Sequence, residues 1–130
     1  MTYIYLGLGG VIGSLFRYFL YSISISYSEH TFPYGTLAAN LIGAFLLGFV
    51  TKKFSTSNKL SPQLQLAIST GAIGSFTTLS TLSTDTVQLL NQGSYLFAFL
   101  YVMISLAGGL AAVYISGQFH KVEEKYEEQR

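Results

Sequence analysis

The residues of this chain whose types and spacing could do chemistry are concentrated in one stretch, STGAIGSFTTLSTLSTDT at positions 69–86. Ten of its eighteen residues carry a hydroxyl and two are glycine. Gly71 and Gly74 each lower helix propensity by about 1 kcal/mol. Hydroxyl side chains also compete for the backbone hydrogen bonds a helix needs. Two other polar groups stand in apolar surroundings: Asn40, in PYGTLAANLIGAFLLG, and Arg17, well inside the first apolar run. These side chains offer N–H and O–H donors and one fixed positive charge, which is chemistry for holding or passing an anion. They do not form a catalytic set, because no nucleophile, base and orienting group converge. Each also has a plainer reading. The hydroxyl stretch could be a polar helix interior satisfied by its own backbone, Asn40 an interhelical hydrogen bond, and Arg17 a side chain snorkelling to an interface.

Such donors need elements that carry them through an apolar medium. Half of the 130 residues are apolar and a tenth are charged, where a soluble domain carries roughly a quarter charged. Four segments are long enough to cross a bilayer core, which takes about 20 residues of helix. They run over residues 2–27, 34–51, 62–90 and 93–119, followed by a polar tail at 120–130. The reading is an all-α membrane protein with one domain of four transmembrane helices, the third broken near its middle. A broken helix at membrane depth persists only where protein buries it or a wet cavity lies beside it, and its freed carbonyls and amides can bind ions. The pairs Gly9/Gly13, Ala39/Gly43, Ala44/Gly48 and Gly108/Ala112 allow close helix packing and imply a tight bundle that oligomerises. Tyr3, Tyr5, Tyr27, Phe32, Tyr34, Phe54, Tyr95, Tyr114 and Phe119 fall where an aromatic belt would mark the interfaces.

Several classes are excluded or disfavoured. A net charge of +1 with no basic stripe argues against nucleic acid. There is no cysteine, hence no disulfide or thiol chemistry, and His30 and His120 stand in expected interfacial loops without partners at ligand spacing. The first segment has no basic residue before Arg17 and too long an apolar run for a cleaved signal peptide, so it is read as a retained helix. Asp85 comes near the end of its segment. The absence of a mid-membrane carboxylate argues against a cation channel and against a small proton-coupled drug transporter.

With four spans, one side of the membrane holds Lys52, Lys53, Lys59, Lys121, Lys125 and Arg130, while the other, around Glu29 and Asn91, holds no Lys or Arg. Six against none predicts that both termini are cytoplasmic.

Three blocks are recognisable together: GGVIGSLFRY at 9–18, PYGTLAANLIGAFLLG at 33–48 and TGAIGSFTTLSTL at 70–82. In order and spacing they resemble the signature blocks of the small bacterial fluoride channels, the Fluc/CrcB family. The resemblance implies a passive fluoride-selective channel that lets fluoride leave the cytoplasm and protects the cell from its toxicity. It implies an antiparallel dimer in the cell membrane, with two pores along the subunit interface. It further implies a structural sodium ion at the dimer centre, held by the backbone carbonyls of Gly74 and Thr77. Asn40, Ser80 and Thr81 then belong to the fluoride pathway, and Arg17 supports it near a pore vestibule or at a helix contact.

The chain departs from the family at one motif. Members usually carry TTFSTF, whose two phenylalanine ring edges can face an anion; here Leu79 and Leu82 stand at those positions. Together with the strong charge bias, this points to a subunit of fixed orientation paired with a paralogous chain of opposite orientation. A homodimer is the other arrangement. A non-conducting assembly subunit is the alternative for the chain itself.

Overall fold

The computed structural model describes the backbone of residues 1–27, 32–56 and 60–128, and the side chains of residues 1–24, 32–55 and 60–118. Glu29, His30, Lys59 and Arg130 lie outside the described residues, as do the side chains of Tyr27, Phe119, His120, Lys121 and Lys125. Everything regular among the described residues is helical. Two long helices come first, α1 (Thr2–Tyr27) and α2 (Tyr34–Thr56). The longest, α6 (Tyr95–Glu128), comes last and carries the backbone on through the polar tail. Within these, Thr2–Ser24, Tyr34–Ser55 and Tyr95–Gln118 are long and apolar enough to cross a membrane.

The segment between them is assembled from shorter pieces. It opens with α3 (Pro62–Leu66), where Pro62 occupies the first turn and Ser61 Oγ accepts from Leu64 N at 3.4 Å. Proline suits that position because the N–H it lacks would be unpaired there anyway. The chain then widens into a π-helix over Ala67–Ile73 and tightens to the single turn α4 (Gly74–Phe76). Thr77 and Thr78 are extended, with ψ of 156° and 120°. Helix resumes as α5 (Leu79–Asn91).

A tight turn then reverses the chain into α6. Gly93 takes φ +74°, its N–H donates to Leu90 O at 3.0 Å, and Ser94 N–H donates to Leu89 O at 2.9 Å. This paired closure of a helix end requires a left-handed residue, which glycine supplies without steric cost.

The packing follows from the small residues. α1 lies on the π-helix and α4, α2 on α6, and α5 on α6. A Cβ at Gly9 would collide with Ala67 O, and one at Gly13 with Ala72 O. The α1 backbone therefore touches the π-helical backbone directly, and no other residue type fits. The buried cluster is small: Leu89, Ala98 and Tyr101, flanked by Phe32, Leu37 and Leu82. Phe32 stands edge-on to Tyr101 at 5.5 Å between ring centroids. Large apolar side chains such as Leu15, Phe16, Phe19 and Leu110 are instead exposed over the outside of the bundle. One chain in water would not present such a surface; a chain clothed by lipid or by a second subunit would.

Candidate functional site

The interruption at Thr77–Thr78 is held from two directions. Asn40 on α2 grips the Thr78 backbone with both ends of its amide: Nδ2 donates to Thr78 O at 3.0 Å, and Oδ1 accepts from Thr78 N at 2.7 Å. One turn along the same face, Gly43 leaves space for the Thr77 methyl, which a Cβ there would strike. The Asn40 amide is thus paired with main chain through both its nitrogen and its oxygen.

From Thr78 the order passes into the next helix. Thr78 Oγ1 accepts from Thr81 N at 3.2 Å and so caps the restart of α5. The same oxygen lies 3.0 Å from Thr81 Oγ1 and 3.2 Å from Ser80 Oγ. The result is a cluster of three hydroxyls whose protons can rotate toward one another or toward another acceptor. Further along α5, Ser83, Thr84 and Thr86 turn their hydroxyls back onto the carbonyls four residues earlier, at 2.7–3.0 Å. From Thr78 onward the six hydroxyls therefore divide: three satisfy their own helix, and three gather at its N-terminal end.

Beside the break lies an open cavity of about 330 Å³. Arg17, Tyr18 and Tyr21 of α1 line it, with Thr36 and Ala39 of α2, and Thr78 and Thr81. Arg17 thus shares a cavity with the capping threonine and with Thr81. Ser80 lies on the exposed side of α5, tied to the cluster through Thr78.

The carbonyls of Gly74 and Thr77 lie on the other side of the interruption. The extended backbone at Thr77 takes its carbonyl out of the helical ladder. Thr77 Oγ1 reaches back to Gly74 O at 3.2 Å and Ile73 O at 3.4 Å. Around Gly74 the surface is open: a Cβ there would meet only Ser69 O, at 3.7 Å. Neutral oxygens at an open, small-residue surface fit a monovalent cation better than a divalent one, which draws carboxylates. Among the described residues no group of three His, Cys, Asp or Glu could hold a metal.

The two leucine positions differ in setting. Leu79 is 75% exposed, on the outside of the bundle. Leu82 packs against the Leu89, Ala98 and Tyr101 cluster.

A second polar group was not visible in sequence. Tyr101 is fully buried, and its Oη donates to Asp85 Oδ2 at 3.1 Å and bonds to the Thr36 hydroxyl. Ser105, one turn on, donates to Tyr101 O at 2.7 Å. Asp85 stands six residues before the end of α5, about 9 Å of helix, and Tyr101 ties it into the bundle. Thr36 joins this group to the cavity it lines. A tyrosine and a serine four apart in an otherwise apolar span were the available signal for this pair. Thr78 gave a cap signal too, readable only once the helix restart is known.

Residues 4–117 match the family described as CrcB-like protein, Camphor Resistance (CrcB). Similar curated proteins include fluoride-specific ion channel FluC 1 of Bacillus cereus, 44% identical over 110 residues, covering 85% of this chain and 80% of the relative. FluC of Chlorobaculum tepidum is 44% identical over 108 residues, covering 83% and 85%. FluC 2 of Listeria innocua is 40% identical over 119 residues, covering 92% and 90%.

Proposed function

The chain belongs to the CrcB-like family, and from that premise we propose that it is a subunit of a passive fluoride-selective channel that exports fluoride from the cytoplasm and protects the cell from it. The observation that carries this reading is the cavity that Arg17 lines together with Thr78 and Thr81, the former held by the amide of Asn40. Fluoride is small and tightly hydrated, so a narrow path must replace its water with well-placed donors. Arg17 supplies the attracting charge, and the hydroxyls of Thr78, Ser80 and Thr81 supply rotatable donors. Asn40 belongs to the pathway through the Thr78 peptide that it holds. The ion moves down its gradient, so no energy source and no catalytic group are required.

The residues 62–91 cross the membrane in this reading as a fourth, interrupted span, making one four-helix domain. Two subunits associate antiparallel through the exposed apolar faces. A sodium ion at their contact would be held by the Gly74 and Thr77 carbonyls of each copy, and it supplies a fixed charge that joins the two breaks. The Lys-rich side sets both termini in the cytoplasm, and that bias favours pairing with a paralogous chain of opposite orientation over a homodimer. The relatives' numbering as FluC 1 and FluC 2 fits the existence of such pairs.

A second reading has its own support. Leu79 and Leu82 remove two aromatic edges, which suits a partner subunit whose own pore does not conduct. Fluoride efflux from liposomes, with chloride as control, separates these. The chain should conduct fluoride when reconstituted with its paralogue. Full flux from the chain alone would establish a homodimer, and no flux in either preparation of folded protein would refute the channel.

A further inference from the structure

We propose that Asn40 is a positioning residue for the pathway: it acts through Thr78, setting the hydroxyls that face the ion rather than serving chiefly as an anion contact itself. The inference rests on the channel reading above. A primary amide that both donates to and accepts from one residue mimics a second strand. It fixes the Thr78 peptide in the extended conformation, at φ −152° and ψ 120°. Thr78 is only 8% exposed, so loss of those bonds would leave its N–H and C=O without water to replace them. Its hydroxyl is the hub of the cluster, capping Thr81 N and touching Ser80 Oγ and Thr81 Oγ1. Releasing the peptide lets that hub swing away, and the three hydroxyls lose their common arrangement. The chemistry is specific to asparagine. Aspartate can accept from Thr78 N but cannot donate to its carbonyl. Glutamine is one methylene too long for the spacing set by Gly43 against Thr77.

The test is a double-mutant cycle read on the ratio of fluoride to chloride flux in vesicles, with each variant reconstituted at the same amount of folded protein, as judged by its elution as a folded species in detergent. Asn40→Ala and Thr78→Ala each should lower the ratio by roughly tenfold, and the double variant by no more than the worse of the two. If Asn40 served the anion independently, the two losses would multiply, and that result overturns the proposal. A second arm does not depend on conduction. Hydrogen exchange in peptides spanning residues 74–82 should quicken by roughly tenfold in Asn40→Ala, while residues 7–16 of α1 hold their wild-type rates. Unchanged exchange at the Thr78 amide overturns the clamp even if flux falls. This exchange difference between Asn40→Ala and wild type, in a wild-type protein that carries no fluoride, would refute the channel and leave the clamp standing.

Discussion

Leu79 and Leu82 occupy equivalent motif positions but face opposite demands. At Leu79, exposed on the outside of α5, a ring adds bulk toward a partner and not into the core. Leu79→Phe should therefore leave stability unchanged within about 0.5 kcal/mol. If ring edges serve the anion, it should also raise fluoride flux, by up to roughly tenfold if an edge contributes as much as an aromatic pair does, about 0.5–1.5 kcal/mol. At Leu82 the same change crowds the cluster around Leu89 and Tyr101 and should destabilise by about 1–3 kcal/mol. Flux and detergent unfolding measured on both variants test this split, and equal destabilisation at the two sites would contradict it. Tyr101→Phe probes the other polar group. It deletes the donor to Asp85 and should cost about 1–3 kcal/mol, because a partly buried carboxylate is left unpaired. An unfolding midpoint equal to wild type would show that the bond adds nothing.

Among the elements, the π-helix over Ala67–Ile73 is positioned by contact with glycines of another helix. Gly13→Ala should displace Ala72 O and destabilise by several kcal/mol, since backbone must shift. Gly109→Ala, in a helix with nothing within 4 Å of the added methyl, should be neutral or stabilising by up to about 1 kcal/mol. A thermal melt of both proteins in detergent is the check, and similar midpoints would refute the backbone contact. How much of this was legible in sequence depends on the interaction's range. The long helices were, because twenty-residue apolar runs admit little else. Glycines and hydroxyls signalled that residues 69–86 would make a poor helix. They could not say that residues 67–73 would wind as a π-helix, nor that Thr78 would be the residue gripped. Both outcomes depend on α1 and α2 arriving at that point. Asn40 was singled out as an amide needing a partner, and the partner is a peptide 38 positions away, a distance no local pattern encodes. The Tyr101–Asp85 bond was missed for the same reason.

At the scale of the whole molecule, the exposed apolar surface and the placement of charge raise one question: which way the chain sits. α2 ends near Lys52 and Lys53 on one side, whereas the turn at residues 92–94 holds no Lys or Arg. Positive residues are retained in the cytoplasm during insertion, so nearly every copy should insert the same way. A chain that had to serve both halves of an antiparallel homodimer would instead insert in the two directions about equally. The protein contains no cysteine, so single cysteines report position without a background. Gln92→Cys and Ser55→Cys both fall at exposed positions near helix ends. In intact cells a membrane-impermeant maleimide should label the cysteine at position 92 nearly completely and that at 55 only after lysis. Labelling of both at about half would mean that the chain inserts both ways. The requirement for a partner of opposite orientation would then fall, and the leucines at 79 and 82 would have to be accommodated within a homodimer.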